Sequence, residues 1–485
     1  MYSFLISIAA LVLGYFLYGA FVDRIFGPDP SSKTPAITKA DGVDYIAMPT
    51  WKVYMIQFLN IAGTGPIFGA IMGAKFGPAS YLWIVLGCIF AGAVHDYMCG
   101  MLSVRHGGAT FPDLVGAYLG KGTKTVMLVF SIVLLLLVGT VFVYSPALIL
   151  GDIAGDGGRN AIMIWVGAIF LYYVVATLLP IDKLIGKVYP VFAVALIFMA
   201  AALMVCLFVK WPQLPEIWNG LGGWSEQAGI KDQPIFPCLF ITIACDAISG
   251  FHATQSPLMA RCIQNEKLGR PVFYGSMITE GLVALIWAAV SSWFFFSGGA
   301  AEVGSNLSAA APIVVTKVSE SWLGILGGVL AILGVVAAPI TSGDTAFRSA
   351  RLIIADFLHL EQKNIGKRLW IAIPVFGVSA ILLWYSIADA NGFNTIWRYF
   401  GWSNQTLAVF MLWTATVYLA LKRPGKAYLI TLLPAMFMSG VCVTFILVDK
   451  IGFRLPAEIA PWVGLGTFVI SGLLFWLWHR KRGDK

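Results

Sequence analysis

The chain consists of long apolar runs separated by short polar connections over its whole length. Apolar runs of about 18 or more residues are long enough to cross a bilayer as helices. Thirteen runs are expected to form such helices, at 2–22, 53–75, 79–104, 124–149, 160–179, 186–209, 235–258, 271–296, 322–346, 367–386, 395–421, 426–448 and 460–479. The longest connections, 23–52, 210–234 and 297–321, leave no room for a soluble domain of any size. The pattern predicts an all-α integral membrane protein in which residues 1–485 form a single polytopic domain.

The second apolar run, within 57–76, is interrupted in its middle. Gly63, Gly65 and Pro66 stand where a continuous helix would run, and Gly and Pro are the poorest helix formers. We therefore predict an unwound point over 62–66. Unwound backbone at membrane depth is tolerated only where it is buried in protein or lines a cavity, and transporters use such breaks as binding sites. A kink used only for packing is the alternative, because glycine is common in membrane helices.

The seventh run contains a second interruption, where Asp246, Ser249, Gly250 and His252 enter an apolar sequence. If helices alternate in direction, the second and seventh run oppositely across the membrane. Two discontinuous helices of opposite direction, each opening a block of five, are what an inverted-topology repeat predicts. This second break therefore raises the expectation of a central transport site.

The repeat hypothesis divides the chain into blocks. We expect one five-helix repeat over 53–209 and an inverted five-helix repeat over 235–421. The helix at 2–22 and two C-terminal helices within 426–480 are then additions at the edge.

The loops differ in their content of Lys and Arg. Of the 32 basic residues, 24 fall in one alternating set of loops and 8 in the other. Cytoplasmic loops carry the excess in membrane proteins. The N-terminus is therefore predicted outside and the C-terminus inside, in a multi-pass protein of a bacterial cytoplasmic membrane.

Composition supports the membrane class and excludes several functions. The chain is 59% hydrophobic and 12% charged, against roughly 25% charged residues in a soluble protein. The net charge of +8 follows from the loop distribution, so no nucleic-acid partner is implied. The seven cysteines contain no CxxC pair and are expected to be small buried hydrophobes. The sequence has no GxxxxGK[ST] motif, which forms the phosphate-binding loop of ATP-hydrolysing proteins. We therefore expect secondary transport without a bound cofactor.

Ionisable side chains inside a bilayer are functional candidates because their burial is costly. His95 and Asp96 lie in the third helix and Glu280 in the eighth. Histidine titrates near neutral pH, so these three residues are candidates for proton coupling, with a purely structural role as the alternative. Because adjacent helical residues point about 100 degrees apart, His95 and Asp96 are expected to meet different partners.

Polar residues at the end of the ninth helix suggest a cation site and a gate. Hydroxyl and carbonyl oxygens suit a sodium ion, although hydroxyls also commonly bond their own helix backbone. The candidate cation-site residues are Ala62, Thr341, Ser342 and Thr345. Asp344 and Arg348 are four residues apart on one helical face and are predicted to form a gating ion pair. No other metal is expected.

Residues at or beside the two breaks are the candidates for substrate binding. They are Asn60, Gly63, Thr64, Gly65, Asp246, Ser249, His252, Asn404 and Gln405.

Four blocks of sequence resemble hallmark blocks of the carbon starvation protein A (CstA) family. They read NIAGTGPIFGAIMGAKFGPASYLWIVLGCIFAGAVHDYMCGMLSVRHGG, ACDAISGFHATQSP, TSGDTAFRSARLIIADFL and FGWSNQTLA. The resemblance covers about 26–421 and implies a bacterial inner-membrane transporter with the LeuT-like fold of the APC superfamily. It also implies uptake of peptides or pyruvate coupled to protons or other cations, so the partners are a small-molecule or peptide substrate and the lipid bilayer. The sequence indicates no particular oligomeric state.

One position departs from the resemblance, since a Gly is expected where this chain has Asp246. A carboxylate there attracts an amine and repels a carboxylate such as pyruvate. We therefore expect import of small peptides, with a pyruvate or monocarboxylate–proton symporter as the alternative. A membrane-embedded enzyme using His95 and Asp96, a passive channel and a starvation sensor are alternatives of other classes.

Overall fold

The computed structural model describes residues 1–154, 158–178, 181–230, 233–360, 365–389 and 392–483. Within these residues the regular elements are all helices, which confirms the predicted all-α class. The main helices are α1 Tyr2–Phe26, α2 Thr50–Ile61, α3 Gly65–Ala74, α4 Ala79–Arg105, α5 Lys121–Ala154, α6 Arg159–Leu178, α7 Ile181–Lys210, α8 Gly250–Ala260, α9 Gly275–Phe296, α10 Ala311–Leu330, α11 Ala337–Phe357, α12 Ile365–Ala388, α13 Gly392–Lys422, α14 Leu429–Val448 and α15 Ala460–Gly483.

Ten helices of the described chain are long and apolar enough to cross a membrane, and eleven if the bent pair α2 and α3 counts as one span. A multi-pass membrane protein is therefore supported. The predicted seventh and ninth spans, 235–258 and 322–346, are helical but are not among these ten. Both are broken into shorter pieces, and α11 carries buried charged residues.

The ninth segment corrects a predicted boundary. The connection predicted over 297–321 ends earlier, because α10 begins at Ala311. A kink at Gly324, with φ of 58°, and a wider helical turn over Ala331–Val336 then lead into α11. The polar residues of 311–321 concealed this helix, since they interrupt the apolar run on which the prediction rested.

The two broken helices lie in the centre of the molecule. The α2 and α3 pair contacts α7, α8, α9 and α11, while α8 also packs against α4 and α13. Helix α14 packs on both α13 and α15, and α15 presents exposed apolar side chains such as Leu465 and Leu474. The fold thus surrounds both breaks with protein, which is what non-helical backbone at membrane depth requires.

Candidate functional site

The first break separates α2 from α3 by Ala62, Gly63 and Thr64, and the two helices are bent by 51°. A side chain at Gly63 would place its Cβ 2.8 Å from the Phe142 ring and 3.1 Å from Ser342 Oγ. Only glycine permits this close approach. The break predicted from the Gly and Pro residues is therefore confirmed, and it is packed from two sides.

The second break precedes α8. Short helical turns at Phe240–Thr242 and Ala244–Ala247 are followed by Ile248 and Ser249, which adopt extended backbone. Gly250 then opens α8. The interruption predicted at these residues is thus present, and it leaves the first N–H groups of α8 without helical partners.

Two neighbouring amides of α13 satisfy the backbone of this second break. Asn404 Oδ1 accepts hydrogen bonds from Phe251 N at 2.6 Å and from Ser249 Oγ at 3.1 Å. This contact is an N-terminal cap of α8 made by a residue distant in sequence. On the other side of the break, Gln405 Nε2 lies 3.1 Å from the carbonyl oxygens of Phe240 and Ala244. Asn404 and Gln405, predicted to bind substrate, therefore hold both ends of the break.

A row of glycines brings the two breaks into direct contact. Gly65, Gly69 and Gly73 are spaced four residues apart along α3. A Cβ at Gly65 would lie 2.2 Å from Cys245 Cβ, and one at Gly73 would lie 2.3 Å from Ile243. Small residues at this spacing let membrane helices approach closely. α3 therefore packs so closely against the residues of the second break that its three glycine positions have no room for a side chain.

Asp246 lies at this contact. Its side chain is fully buried, and a Cβ at Gly69 would lie 3.0 Å from its Oδ2. In the described part of the chain, neither carboxylate oxygen of Asp246 has a hydrogen-bond partner, and the same holds for the side-chain polar atoms of Asn60 and Thr64. Such groups are costly to bury unpaired, at about 1–3 kcal/mol each. Three of the predicted substrate-binding residues thus offer unused hydrogen-bonding capacity at the two breaks.

The structure joins four titratable side chains from three helices in one buried chain. His95 Nδ1 lies 2.8 Å from Asp96 Oδ1, and His252 Nδ1 lies 2.8 Å from Asp96 Oδ2. His252 Nε2 is 3.6 Å from Glu280 Oε2. All four side chains are fully buried. The chain runs from α4 through α8 to α9.

This geometry corrects the expectation that His95 and Asp96 meet different partners. Their side chains bend toward each other, and the Asp96 carboxylate accepts from both histidines because it has two oxygens. The structure also places His252, predicted to bind substrate, beside Asp96 and Glu280, which are two of the proton-coupling candidates. With Nδ1–H donated to Asp96, each histidine keeps Nε2 as the atom that can gain or lose a proton.

Of the predicted cation-site residues, Ala62 lies in the first break and Ser342 lies beside it. Ser342 Oγ donates to the Leu59 carbonyl at 3.0 Å, which ties α11 to the end of α2. The Thr341 hydroxyl bonds the Ala338 carbonyl at 2.8 Å, and the Thr345 hydroxyl bonds the Ser342 carbonyl at 3.0 Å. The two threonines therefore bond their own helix. Within the described residues, no group of three or more His, Cys, Asp or Glu side chains is placed to hold a metal ion.

Asp344 and Arg348 are both buried in α11. Asp344 Oδ2 lies 2.7 Å from the Tyr189 hydroxyl of α7, and Arg348 donates to the Ala176 carbonyl of α6 at 3.0 Å. Sequence reasoning missed Tyr189, whose only signal was an aromatic hydroxyl inside an apolar run. These contacts fix α11 to the helices on its other side.

The fold is similar to that of a solved transporter. A crystal structure of a manganese transporter from Eremococcus coleocola, in complex with an aromatic bis-isothiourea substituted compound, aligns with a TM-score of 0.53 at 12% identity. The alignment covers 91% of this chain and 99% of that chain. The fold is therefore one that polytopic membrane transporters adopt.

Sequence comparison narrows the class. The family model described as carbon starvation protein CstA matches residues 1–154, 158–327 and 298–445. The chain belongs to the carbon starvation protein CstA family.

The relatives of this chain carry names that describe different functions. An uncharacterized membrane protein of Haemophilus influenzae is 45% identical over 339 residues, covering 61% of this chain and 91% of that protein. Peptide transporter CstA of Campylobacter jejuni is 26% identical, covering 90% of this chain and 78% of its own length. Pyruvate/proton symporter BtsT of Escherichia coli is 23% identical, covering 91% and 80%.

Proposed function

We propose that this protein is a secondary active transporter that imports small peptides, or a related small nutrient, across the bacterial inner membrane by alternating access. The observation that carries the proposal is the buried carboxylate of Asp246 at the contact between two broken helices, which has no hydrogen-bond partner among the described residues. Transporters bind substrate near the membrane midplane at such broken helices. The relatives named as transporters and the similar fold of a solved transporter support the same class.

The charge of Asp246 selects the kind of substrate. A buried carboxylate attracts the ammonium group of a peptide strongly, since Coulomb energies are larger away from water. It repels a carboxylate for the same reason. Import of an amine-bearing substrate is therefore favoured over import of pyruvate, and Asn60 and Thr64 supply neutral hydrogen-bonding groups at the first break.

The chain of His95, Asp96, His252 and Glu280 supports coupling to protons. Glu280 interacts electrostatically with both Asp246 and Asp96, so a proton on the chain changes the field at the proposed substrate carboxylate. Binding of an ammonium group at Asp246 and protonation of the chain are then linked. A sodium ion at Ser342 and the first break is the alternative coupling ion.

We also propose the LeuT-like arrangement of two inverted five-helix repeats within thirteen helices, with the N-terminus outside. The opposite chain direction predicted for the two broken helices and the loop distribution of Lys and Arg support it. A pyruvate or monocarboxylate–proton symporter is the second candidate function, favoured by the relative that bears that name.

The test is uptake of radiolabelled trialanine and pyruvate into proteoliposomes under imposed proton or sodium gradients. We expect proton-driven accumulation of trialanine above the level in protein-free liposomes. Accumulation of pyruvate alone would favour the second candidate. If neither gradient drives accumulation of trialanine or of pyruvate, the proposal is contradicted.

A further inference from the structure

A groove on the surface of the molecule lies between α1 and α14 and has a volume of about 460 Å³. α1 contributes Tyr18, Phe21 and Ile25 to its lining, and the chain around the start of α14 contributes Lys426, Leu429 and Leu433. Apart from the lysine, these side chains are apolar or aromatic, and those of Phe21 and Leu433 are about half exposed. The groove therefore opens onto the surface that faces lipid in a membrane protein.

Contacts within the fold hold the walls of this groove in place. Arg423, in the segment that leads into α14, donates to the Gly27 carbonyl at the end of α1 at 3.3 Å. The end of α1 and the start of α14 are thus joined at the same end of the molecule. Both helices also contact the Cys88–Gly92 turn of α4, where the Phe90 ring packs on Tyr18 at 4.7 Å between ring centres. α4 therefore lies behind the groove, which exists without a ligand.

The groove is charged at one end and apolar along the rest of its length. Lys426 lies in the segment before α14, at the end of the groove where α1 also ends. Tyr18 precedes Ile25 by seven residues, so it lies about 10 Å deeper along the axis of α1. Leu433 lies one turn inside α14 and is deeper than Lys426 in the same direction. This order, a cation above an apolar wall, matches a phospholipid, whose charged phosphate lies above its apolar acyl chains.

The charges at this end favour an anionic headgroup. Lys426 and Arg24, the neighbour of the lining residue Ile25, are both exposed, and neither is paired with a carboxylate among the described residues. Asp23 of the same turn accepts a hydrogen bond from the Tyr97 hydroxyl of α4. The distribution of Lys and Arg predicts that this end faces the cytoplasm. The cytoplasmic leaflet is anionic, and basic pockets between membrane helices on that side bind lipid headgroups.

We propose that this groove binds an anionic phospholipid, with its phosphate at Lys426 and Arg24 and an acyl chain along Tyr18, Phe21 and Leu433. A zwitterionic lipid carries the same phosphate but adds a cationic group, which the two basic side chains repel. A lipid bound here contacts α1 and α14 together, so it joins two helices that lie outside the predicted repeats. The proposal concerns lipid binding and does not depend on which substrate the protein transports.

The test measures the melting temperature of the purified, delipidated full chain in detergent during titration with phosphatidylglycerol or with phosphatidylcholine of the same acyl chains. A ligand that binds the folded state raises the melting temperature. We expect phosphatidylglycerol to stabilise the wild type more than phosphatidylcholine does, and added salt to reduce this difference. Lys426→Gln and Arg24→Gln should each weaken phosphatidylglycerol binding about fivefold and leave phosphatidylcholine binding unchanged.

Lys450→Gln is the matched control, because Lys450 is an exposed lysine beyond the opposite end of α14. Its titration with phosphatidylglycerol should match that of the wild type. Without added lipid, all three variants should melt at the wild-type temperature, since each replaces an exposed side chain. Equal stabilisation by the two lipids, or a phosphatidylglycerol effect that neither Lys426→Gln nor Arg24→Gln reduces, would overturn the proposal and leave non-specific lipid contact.

A second copy of the chain is the other occupant that the test distinguishes. Light scattering in detergent gives the oligomeric state of the wild type and of Leu433→Gln, which places a polar group on the groove wall. We expect the same oligomeric state for both, and weaker phosphatidylglycerol binding by Leu433→Gln because its contact with the acyl chain becomes polar. A wild-type dimer that Leu433→Gln converts to a monomer would show that a second copy covers the groove and would contradict the lipid site.

Discussion

At the residue scale, the site depends on a few buried ionisable side chains. Asp246 has no hydrogen-bond partner among the described residues, and His252 lies between two carboxylates, those of Asp96 and Glu280. The types of these residues were readable from the sequence, because ionisable groups stand out in apolar runs. Their grouping was not readable, since Asp96 and His252 are 156 positions apart and meet only through the packing of α4 on α8.

Asp246→Asn should raise the KM for trialanine about tenfold or more, because the amide keeps the shape and loses the charge that attracts the ammonium group. Thermal stability should be unchanged or higher, since a buried charge is removed. The measurement is uptake of trialanine and of its N-acetyl form, with Asp152→Asn on an exposed position of α5 as control. An unchanged KM for trialanine would reduce Asp246 to a packing role.

His252→Gln should flatten the pH dependence of proton-driven uptake between about pH 5 and 8, because glutamine, unlike an imidazole, cannot gain or lose a proton. His95→Gln should have a smaller effect, because His95 contacts one carboxylate of the chain and His252 contacts two. Initial rates across this pH range are the measurement. A pH profile identical to that of the wild type in both variants would leave the four-residue chain structural.

At the element scale, both breaks are held by specific contacts. The first break was predictable from Gly63, Gly65 and Pro66, because local propensity alone disfavours a helix there. The contacts that hold the second break were not predictable, because Asn404 caps α8 from a helix more than 150 residues later in the chain. Amides in the run FGWSNQTLA drew attention as substrate ligands, but nothing local in the sequence shows that they bond backbone groups.

Asn404→Ala should lower the free energy of unfolding by about 1–2 kcal/mol, the usual cost of losing a helix cap. Asn404→Asp should restore most of it, because a carboxylate oxygen can accept from Phe251 N and Ser249 Oγ. Thermal unfolding and trialanine uptake are measured for both variants. Equal stability of Asn404→Ala and the wild type would show that the cap does not hold the break.

Gly65→Ala should abolish uptake or folding, because the new Cβ would lie 2.2 Å from Cys245 Cβ. Gly167→Ala in α6 is the matched control, since no atom lies within 4 Å of its added Cβ, and it should unfold at or above the wild-type temperature. Melting temperature and uptake are the readouts. Wild-type behaviour of Gly65→Ala would contradict the close packing of the two breaks.

At the scale of the whole molecule, the side chains at both breaks are enclosed. Thr64, Asp246 and Ser249 are fully buried, so a substrate can reach them only after helices separate on one side. The connection between α1 and α2 closes the end predicted to be cytoplasmic, where Asp44 lies 3.8 Å from Arg351 and Lys39 Nζ donates to the Gly107 carbonyl. The lengths of the apolar runs predicted the membrane class. Contacts between segments far apart in the sequence could be seen only in the structure.

The central claim, that peptide and proton movement are linked at the two breaks, is tested most directly by peptide-induced proton movement. Proteoliposomes holding a pH-sensitive dye receive trialanine with no imposed proton gradient and with the membrane potential clamped. We expect the lumen to acidify on addition of trialanine in the wild type, and to change much less in Asp246→Asn and His252→Gln. Entry of trialanine into the proteoliposomes with no change in lumenal pH would contradict coupling through His95, Asp96, His252 and Glu280.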